Sequence, residues 1–116
     1  MTSFIVISSV MSNKDQTKTV ANALASLGHE ARLSVYRLLV RAGNDGLIVG
    51  EIGDQLGMPP STLSHHLRTL VHAGLVIQEK RGREVYNRPD FDAMASVTTF
   101  LTKECCVGVR LTVSAA

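Results

Sequence analysis

Apolar residues recur at the spacing of an α-helix along four successive stretches of the chain. The pattern predicts helices over residues 17–27, 29–42, 49–56 and 60–73. Each stretch is followed by a glycine, the residue that most often takes the left-handed position after a helix. Pro59 and Pro60 open the fourth stretch, and proline is tolerated in the first turn of a helix. Four short helices separated by tight turns are therefore expected.

The fourth predicted helix has one apolar side and one polar side. Its apolar side contains Leu63, Leu67, Leu70 and Val71. Its opposite side contains Ser61, His65, Arg68 and His72. A helix of this kind packs one side on a core and leaves the other free for a partner. His66 lies at the edge of the apolar side, and we interpret it as a packing or orienting residue rather than a metal ligand.

A short hairpin is predicted after the fourth helix. Residues 76–80 and 84–87 have strand character, and Arg81-Gly82-Arg83 joins them with a glycine in the turn. Four closely spaced helices followed by a basic hairpin predict a mainly α fold with a small β-hairpin wing, the winged helix-turn-helix.

A fifth helix is predicted from residue 89 or 90 to about residue 106, with acidic residues near its start. Its apolar side is expected to contain Phe91, Met94, Leu101 and Cys105, with Val97 and Phe100 beside it. So small a domain does not need this much apolar surface for its own core. The helix is therefore expected to pair with a second subunit, giving a five-helix winged helix-turn-helix dimer.

The length of 116 residues predicts one domain. We assign residues 1–16 to an N-terminal extension that could be flexible, 17–106 to the winged helix-turn-helix domain and 107–116 to a C-terminal tail. No stretch is long enough to cross a membrane, and residues 4–7 lack the basic flank of a signal peptide. With only two cysteines, a disulfide scaffold is not expected, and a cytoplasmic location is predicted.

The distribution of charge favours a nucleic-acid partner. Residues 61–88 have a net charge of +3, although the whole chain has only +2. Hydroxyls at the start of the fourth helix can approach phosphates, and the side chains after them can reach base edges. The residues predicted to contact double-stranded DNA are Ser61, Thr62, Ser64, His65, Arg68, Lys80, Arg81 and Arg83.

Two other classes of function fit the sequence less well than DNA binding. An enzyme is not expected, because Ser64 and His65 are sequence neighbours without a third group to orient them. A winged helix that binds only proteins is an alternative, which the basic hairpin and the hydroxyl-rich helix start disfavour.

Three runs of sequence carry a resemblance to a known family. They are Ala-Ser-Leu-Gly-His-Glu-Ala-Arg-Leu at 25–33, Ser-Thr-Leu-Ser-His-His-Leu at 61–67 and Ala-Gly-Leu-Val at 73–76. Over roughly residues 17–106 the chain resembles the ArsR family of arsenic- and metal-responsive winged-helix repressors. The resemblance implies a homodimer paired through the first and last helices. It also implies binding to an imperfect inverted repeat in a promoter, which an inducer weakens.

Two sensor sites of that family are missing from this sequence. The Cys-Val-Cys motif expected at the start of the third helix is replaced by Ile-Val-Gly-Glu at 48–51. The zinc-type site on the last helix needs histidine, and no histidine follows His72. No zinc site is therefore predicted.

The remaining candidate for an inducer site is Cys105-Cys106. Adjacent thiolates can chelate one thiophilic ion, best where a helix frays, and Gly108 is consistent with fraying. Soft thiolates suit trivalent arsenic or antimony. Arsenite prefers three sulfurs, whereas a methylated trivalent arsenical has two exchangeable positions. Lys103 and Arg110 are expected to favour the thiolate form. Some arsenic-responsive relatives carry a cysteine pair at this place, which supports the assignment.

Three alternatives stay open for the cysteines. Cys105 could be a buried residue of the helix face, with Cys106 merely its neighbour. The pair could respond to oxidants or reactive sulfur, although a disulfide between adjacent cysteines forms a strained ring. The regulator could also act without any inducer.

Overall fold

Five α-helices and a two-stranded antiparallel sheet make up residues 12–111, the part of the chain that this computed structural model describes. In chain order the elements are α1 (Asn13–Leu27), α2 (Glu30–Ala42), a 3-10 turn (Gly43–Asp45), α3 (Val49–Leu56), α4 (Pro60–His72), β1 (Val76–Arg81), β2 (Glu84–Pro89) and α5 (Phe91–Thr102). The predicted winged helix-turn-helix fold is confirmed. No helix among the described residues has both the length and the apolar composition needed to span a bilayer.

Helix α1 begins four residues before its predicted start. The Ser12 hydroxyl accepts a hydrogen bond from the backbone N–H of Asp15 at 3.1 Å and so caps the first turn. Residues 13–16 are all polar, so the apolar pattern did not include them. The apolar segment 4–7 and the rest of residues 1–11 lie outside the described part of the chain.

Helix α5 ends at Thr102, so the prediction that it extends to about residue 106 is wrong. Threonine has a low helix propensity. The hydroxyls of Thr98 and Thr102 donate hydrogen bonds to the backbone carbonyls of Met94 and Thr98, one turn back, and such bonds compete with regular helix. Glu104 and Cys106 then take positive φ angles of 62° and 66°, which no continuing right-handed helix allows.

The predicted apolar side of α5 also needs correction. Ala93 and Val97, one helical turn apart, are the buried pair that packs on the core. Phe91 and Leu101 are 40% and 58% exposed in the single chain. The apolar pattern is therefore split, with one part serving this core and another part left on the surface.

The core lies between α4 and the elements that surround it. Leu63, Leu67 and Leu70 of α4 are fully buried, as the apolar pattern predicted. The other buried apolar residues are Val20, Ala23, Val35, Tyr36, Leu38, Leu39, Ile52, Leu75, Val76, Ala93 and Val97. Because α4 contributes three leucines to this cluster, its position is fixed by the packing of α1, α2 and α3 around it.

The hairpin is attached to the helices by Asn87, which is fully buried. Its backbone N–H and C=O pair with Leu47 at 2.8 and 2.9 Å, and its side-chain amide donates to Leu47 O at 3.1 Å. The Asn87 Oδ1 atom accepts from Gln78 Nε2 at 2.9 Å. A Cβ on Gly46 would lie only 3.0 Å from the Asn87 carbonyl oxygen, so this close approach requires glycine.

We expect Asn87→Ala to lower the free energy of unfolding by about 1–3 kcal/mol, because it leaves a buried carbonyl without one of its donors and removes the partner of Gln78. Urea unfolding followed by circular dichroism measures the change. Gln78→Ala is the matched control and should cost less, since Gln78 is exposed. Equal stability of the Asn87 variant and the parent chain would contradict this account of how the hairpin is attached.

Candidate functional site

The turn between α3 and α4 fixes how the start of α4 meets solvent. Gly57 ends α3 in the left-handed conformation, and Met58 N–H donates to Gly53 O at 3.2 Å. Pro59 is the N-cap residue and Pro60 is the first residue of α4, so no side chain caps this helix start. The first backbone N–H groups of α4 therefore remain available to an external acceptor.

The polar side of α4 points outward as predicted. Ser61, Thr62, His65 and Arg68 are exposed, and Ser64 is half-buried. Arg68 forms no ion pair within residues 12–111. The structure therefore brings the five residues that were predicted on this helix to one free surface, which has the form of a recognition helix.

A contact between two histidines, which the sequence did not reveal, joins α4 to the start of α2. His66 is buried, and its ring lies 5.0 Å from that of His29 and 5.8 Å from that of His65, between ring centroids. His29 is the N-cap of α2, and its Nδ1 accepts from Ala31 N–H at 3.1 Å. The prediction that His66 packs rather than binds metal agrees with this position. No group of three potential metal ligands occurs among the described residues.

Burial lowers the pKa of His66 below its usual value of 6.5. Electrostatic interactions with His29, Arg32 and His65 act in the same direction. Its Nδ1 atom is buried without a hydrogen-bond partner in the described part of the chain. Both effects favour the neutral form of His66 on the buried side of α4.

The three basic residues of the hairpin tip are not equivalent. Lys80 and Arg83 are exposed and form no ion pair within the described residues. Arg81 instead binds Glu79, with Nη2 and Oε1 2.9 Å apart, and its guanidinium lies 4.3 Å from the centre of the Tyr86 ring. It also donates to the backbone carbonyl of Asp45 at 3.3 Å.

Only two of the three contacts of Arg81 could have been predicted from the sequence. Glu79 and Arg81 are two residues apart on one strand and therefore share a face. Tyr86 lies directly opposite Glu79 in the strand register. The alternation of side chains between the two faces of the hairpin could have predicted these two partners. Asp45 could not have been found, because it lies 36 residues away in the 3-10 turn.

Cys105 and Cys106 lie in the turns that follow α5, and both are exposed free thiols. Their Sγ atoms are 2.8 Å apart. The alternative in which Cys105 is a buried residue of the helix face is wrong for the single chain. The positive φ of Cys106 brings the two sulfurs to the same side, which a regular helix would not do.

The hydrogen bond with Cys106 raises the pKa of the Cys105 thiol above its usual value, and partial desolvation adds to the shift. Lys103 was predicted to favour the thiolate, but its Nζ atom lies over the Phe100 ring, 5.8 Å from the ring centre. A thiophilic ligand at this pair would meet thiols that must give up their protons on binding.

A helix-turn-helix, a free recognition helix and a basic hairpin together define a winged helix-turn-helix DNA-binding regulator. A family model described as a helix-turn-helix domain matches residues 27–79. The chain is 37% identical over 91 residues to YbzH of Bacillus subtilis, an HTH-type transcriptional regulator. That match covers 68% of this chain and 91% of YbzH. The chain belongs to the HTH-type transcriptional regulators, the family that this relative shows, and its fold is that of the ArsR-type winged helix-turn-helix regulators among the solved structures. The relatives and the fold are those of DNA-binding regulators and not of enzymes.

Three solved structures share the fold. The homodimeric winged helix-turn-helix DNA-binding domain of Mb0332 from Mycobacterium bovis has a TM-score of 0.64 and 23% identity, covering 88% of this chain and 97% of that one. A possible transcriptional regulator for arsenical resistance has a TM-score of 0.55 and 28% identity, covering 69% and 80%. The antimony-specific repressor AntR has a TM-score of 0.60 and 19% identity, covering 84% of each chain.

We expect the free energy of unfolding to fall as the pH is lowered from about 7.5 to about 5.5, and His66 to cause part of that fall. The pKa of His66 is lowered in the folded chain, so the unfolded chain takes up the proton more readily. Stability is therefore full above the usual pKa of 6.5 and is lost as the pH falls through the folded value.

Urea unfolding at the two pH values, in the parent chain and in His66→Gln, measures this contribution. The variant should show a smaller difference between the two pH values. His72→Gln, which changes an exposed histidine of the same helix, should keep the parent difference. An undiminished pH difference in His66→Gln would show that another group is responsible.

Proposed function

We propose that the chain is a repressor that trivalent arsenic or antimony releases from its operator by binding Cys105 and Cys106. The observation that carries the proposal is the placement of two exposed sulfurs 2.8 Å apart, directly after the last helix. The 28% identical structure described as a possible regulator for arsenical resistance supports arsenic as the inducer. AntR, which shares the fold alone, is described as antimony-specific.

The operator is proposed to be an imperfect inverted repeat of double-stranded DNA bound by a homodimer. Ser61 and Thr62 are placed to bind phosphate oxygens together with the uncapped N–H groups of α4. His65 and Ser64 are proposed to reach the base edges, and Arg68 to bind the backbone one turn further on. In the hairpin, Lys80 and Arg83 are the cations proposed to contact the adjacent phosphates.

The proposed dimer interface lies beside the cysteine pair. Leu24 of α1 and Phe91 and Leu101 of α5 are 40–58% exposed in the single chain. Exposed apolar side chains of this size are a typical site of subunit contact. The cysteine turn begins immediately after α5, so a change in its backbone acts on the end of this helix. Because two half-sites require one spacing of the recognition helices, a small shift there lowers affinity for DNA.

The chemistry of the pair favours a ligand with two exchangeable positions. Binding forms two arsenic–sulfur bonds and breaks two arsenic–oxygen bonds, and the two thiol protons leave with the displaced hydroxides as water. No third cysteine or histidine joins the pair among the described residues. A methylated trivalent arsenical needs no third sulfur, whereas arsenite would keep one hydroxide. By linkage, the inducer binds the free dimer more tightly than the DNA-bound dimer.

Arg68→Ala should weaken binding to every DNA sequence, because the side chain is proposed to bind a phosphate and not a base. The homodimer loses one phosphate contact from each subunit, so the magnitude of the slope of log K against log salt concentration should fall by about 1.8, which is about 0.9 for each contact. Fluorescence anisotropy with operator and unrelated DNA over a range of salt concentrations measures the slope. A full slope in the variant would contradict the phosphate role.

Cys105→Ser and Cys106→Ser should each retain operator binding and lose release by arsenicals, because one remaining sulfur cannot chelate the ligand. Both thiols are exposed, so the substitutions should leave the fold intact. Operator anisotropy with and without methylarsenite, in a reducing buffer, gives the result. Thr102→Ser, at the end of the same helix, is the control and should respond like the parent chain. Release that persists in both cysteine variants would remove the pair from the mechanism.

A further inference from the structure

Arg81 is held by three different groups within the protein. Its guanidinium binds the Glu79 carboxylate, lies over the Tyr86 ring and donates to the backbone carbonyl of Asp45. The first two partners belong to the hairpin, whereas Asp45 belongs to the 3-10 turn between α2 and α3. The side chain therefore joins the far end of the hairpin to the body of the domain.

Glu79 has an unusual place for an acidic residue in a hairpin that faces DNA. The hydrogen bond and the positive charge of Arg81 hold the pKa of Glu79 below its usual value, and Arg88 contributes from 3.9 Å. Glu79 is therefore ionised at neutral pH and would repel a phosphate that approached it. If Glu79 did not bind Arg81, its carboxylate would only weaken DNA binding.

The strongest attachment of the hairpin is at its base, where Asn87 pairs with Leu47. The tip, which carries Lys80 and Arg83, extends away from that attachment. Arg81 supplies a further contact nearer the tip, through Asp45. A guanidinium can stack on a ring and bind a carboxylate in one fixed orientation, whereas an ammonium group cannot.

We propose that Arg81 is a positioning residue, which with Glu79 and Tyr86 holds the hairpin in the orientation that lets Lys80 and Arg83 reach the phosphates. Arg81 then contributes to DNA binding through the hairpin and not through a contact of its own. The inference rests on the proposed contact between the hairpin and DNA.

The two roles predict opposite effects for Glu79→Gln. If Glu79 helps Arg81 to hold the hairpin in place, loss of the Glu79 carboxylate should weaken operator binding by about two- to fivefold, the range expected for an exposed ion pair. If Arg81 itself binds phosphate, removing its acidic neighbour should strengthen binding. Glu84→Gln is the control for the loss of a hairpin carboxylate. Glu84 forms no ion pair within the described residues, and the hydrogen bond that it accepts from the Tyr86 hydroxyl at 3.5 Å can be kept by the glutamine carbonyl oxygen. Its loss should leave binding equal or slightly stronger.

Substitution by lysine distinguishes an arginine that acts through its geometry from one that acts through its charge alone. Arg81→Lys keeps the charge but loses the stacked, forked geometry, so it should weaken binding about as much as Arg81→Gln. Arg83→Lys should bind nearly like the parent chain, because a phosphate contact tolerates either cation. In the double variant Glu79→Gln/Arg81→Gln, the losses should not add, since both changes remove the same contact.

Operator anisotropy for these variants, with circular dichroism to confirm folding, decides between the roles. Stronger binding by Glu79→Gln, or full binding by Arg81→Lys with a loss in Arg81→Gln, would overturn the proposal. A parent chain that does not bind the operator, or an Arg83→Gln/Lys80→Gln variant that binds like the parent, would instead reject the proposed hairpin contact with DNA.

Discussion

The burial of Leu63, Leu67 and Leu70 in the core is the constraint on which the rest of the molecule depends. These three side chains occupy one side of α4, so the other side must face solvent. The same packing therefore sets both the stability of the domain and the surface that it offers to DNA. His66 lies at the boundary between the two sides, where burial and electrostatic interactions with its neighbours favour its neutral form. A recognition helix held in this way has little freedom to rotate about its axis.

The hairpin depends on two attachments of different strength. At its base, the fully buried Asn87 has its amide satisfied by Leu47 and Gln78, which makes this contact costly to break. Nearer the tip, Arg81 reaches Asp45 through an exposed and weaker set of contacts. The hairpin is therefore held firmly where it leaves the core and more weakly near its tip, where Arg81 is proposed to set its orientation.

The sequence predicted those features that depend on local pattern. The apolar side of α4, the glycine stops and the hairpin around Gly82 all follow from periodicity and turn chemistry, and the structure confirms them. The apolar periodicity gave the wrong helix bounds where capping or low helix propensity decided them instead. The polar residues 13–16 form helix because Ser12 caps them, and the helix before the cysteines ends early because its threonines weaken it. Contacts between distant segments, such as Arg81 with Asp45, have no local signal at all.

The early end of α5 also gives the cysteine pair its proposed role, since it places both sulfurs in an exposed turn beside the proposed dimer interface. The most direct test is fluorescence anisotropy of a labelled DNA fragment from upstream of the protein's own gene. Purified protein is titrated into it under reducing conditions, then arsenite, methylarsenite or zinc is added. The account predicts tight binding, release by a trivalent arsenical and no release by zinc. Tight binding that is indifferent to both arsenicals would contradict it.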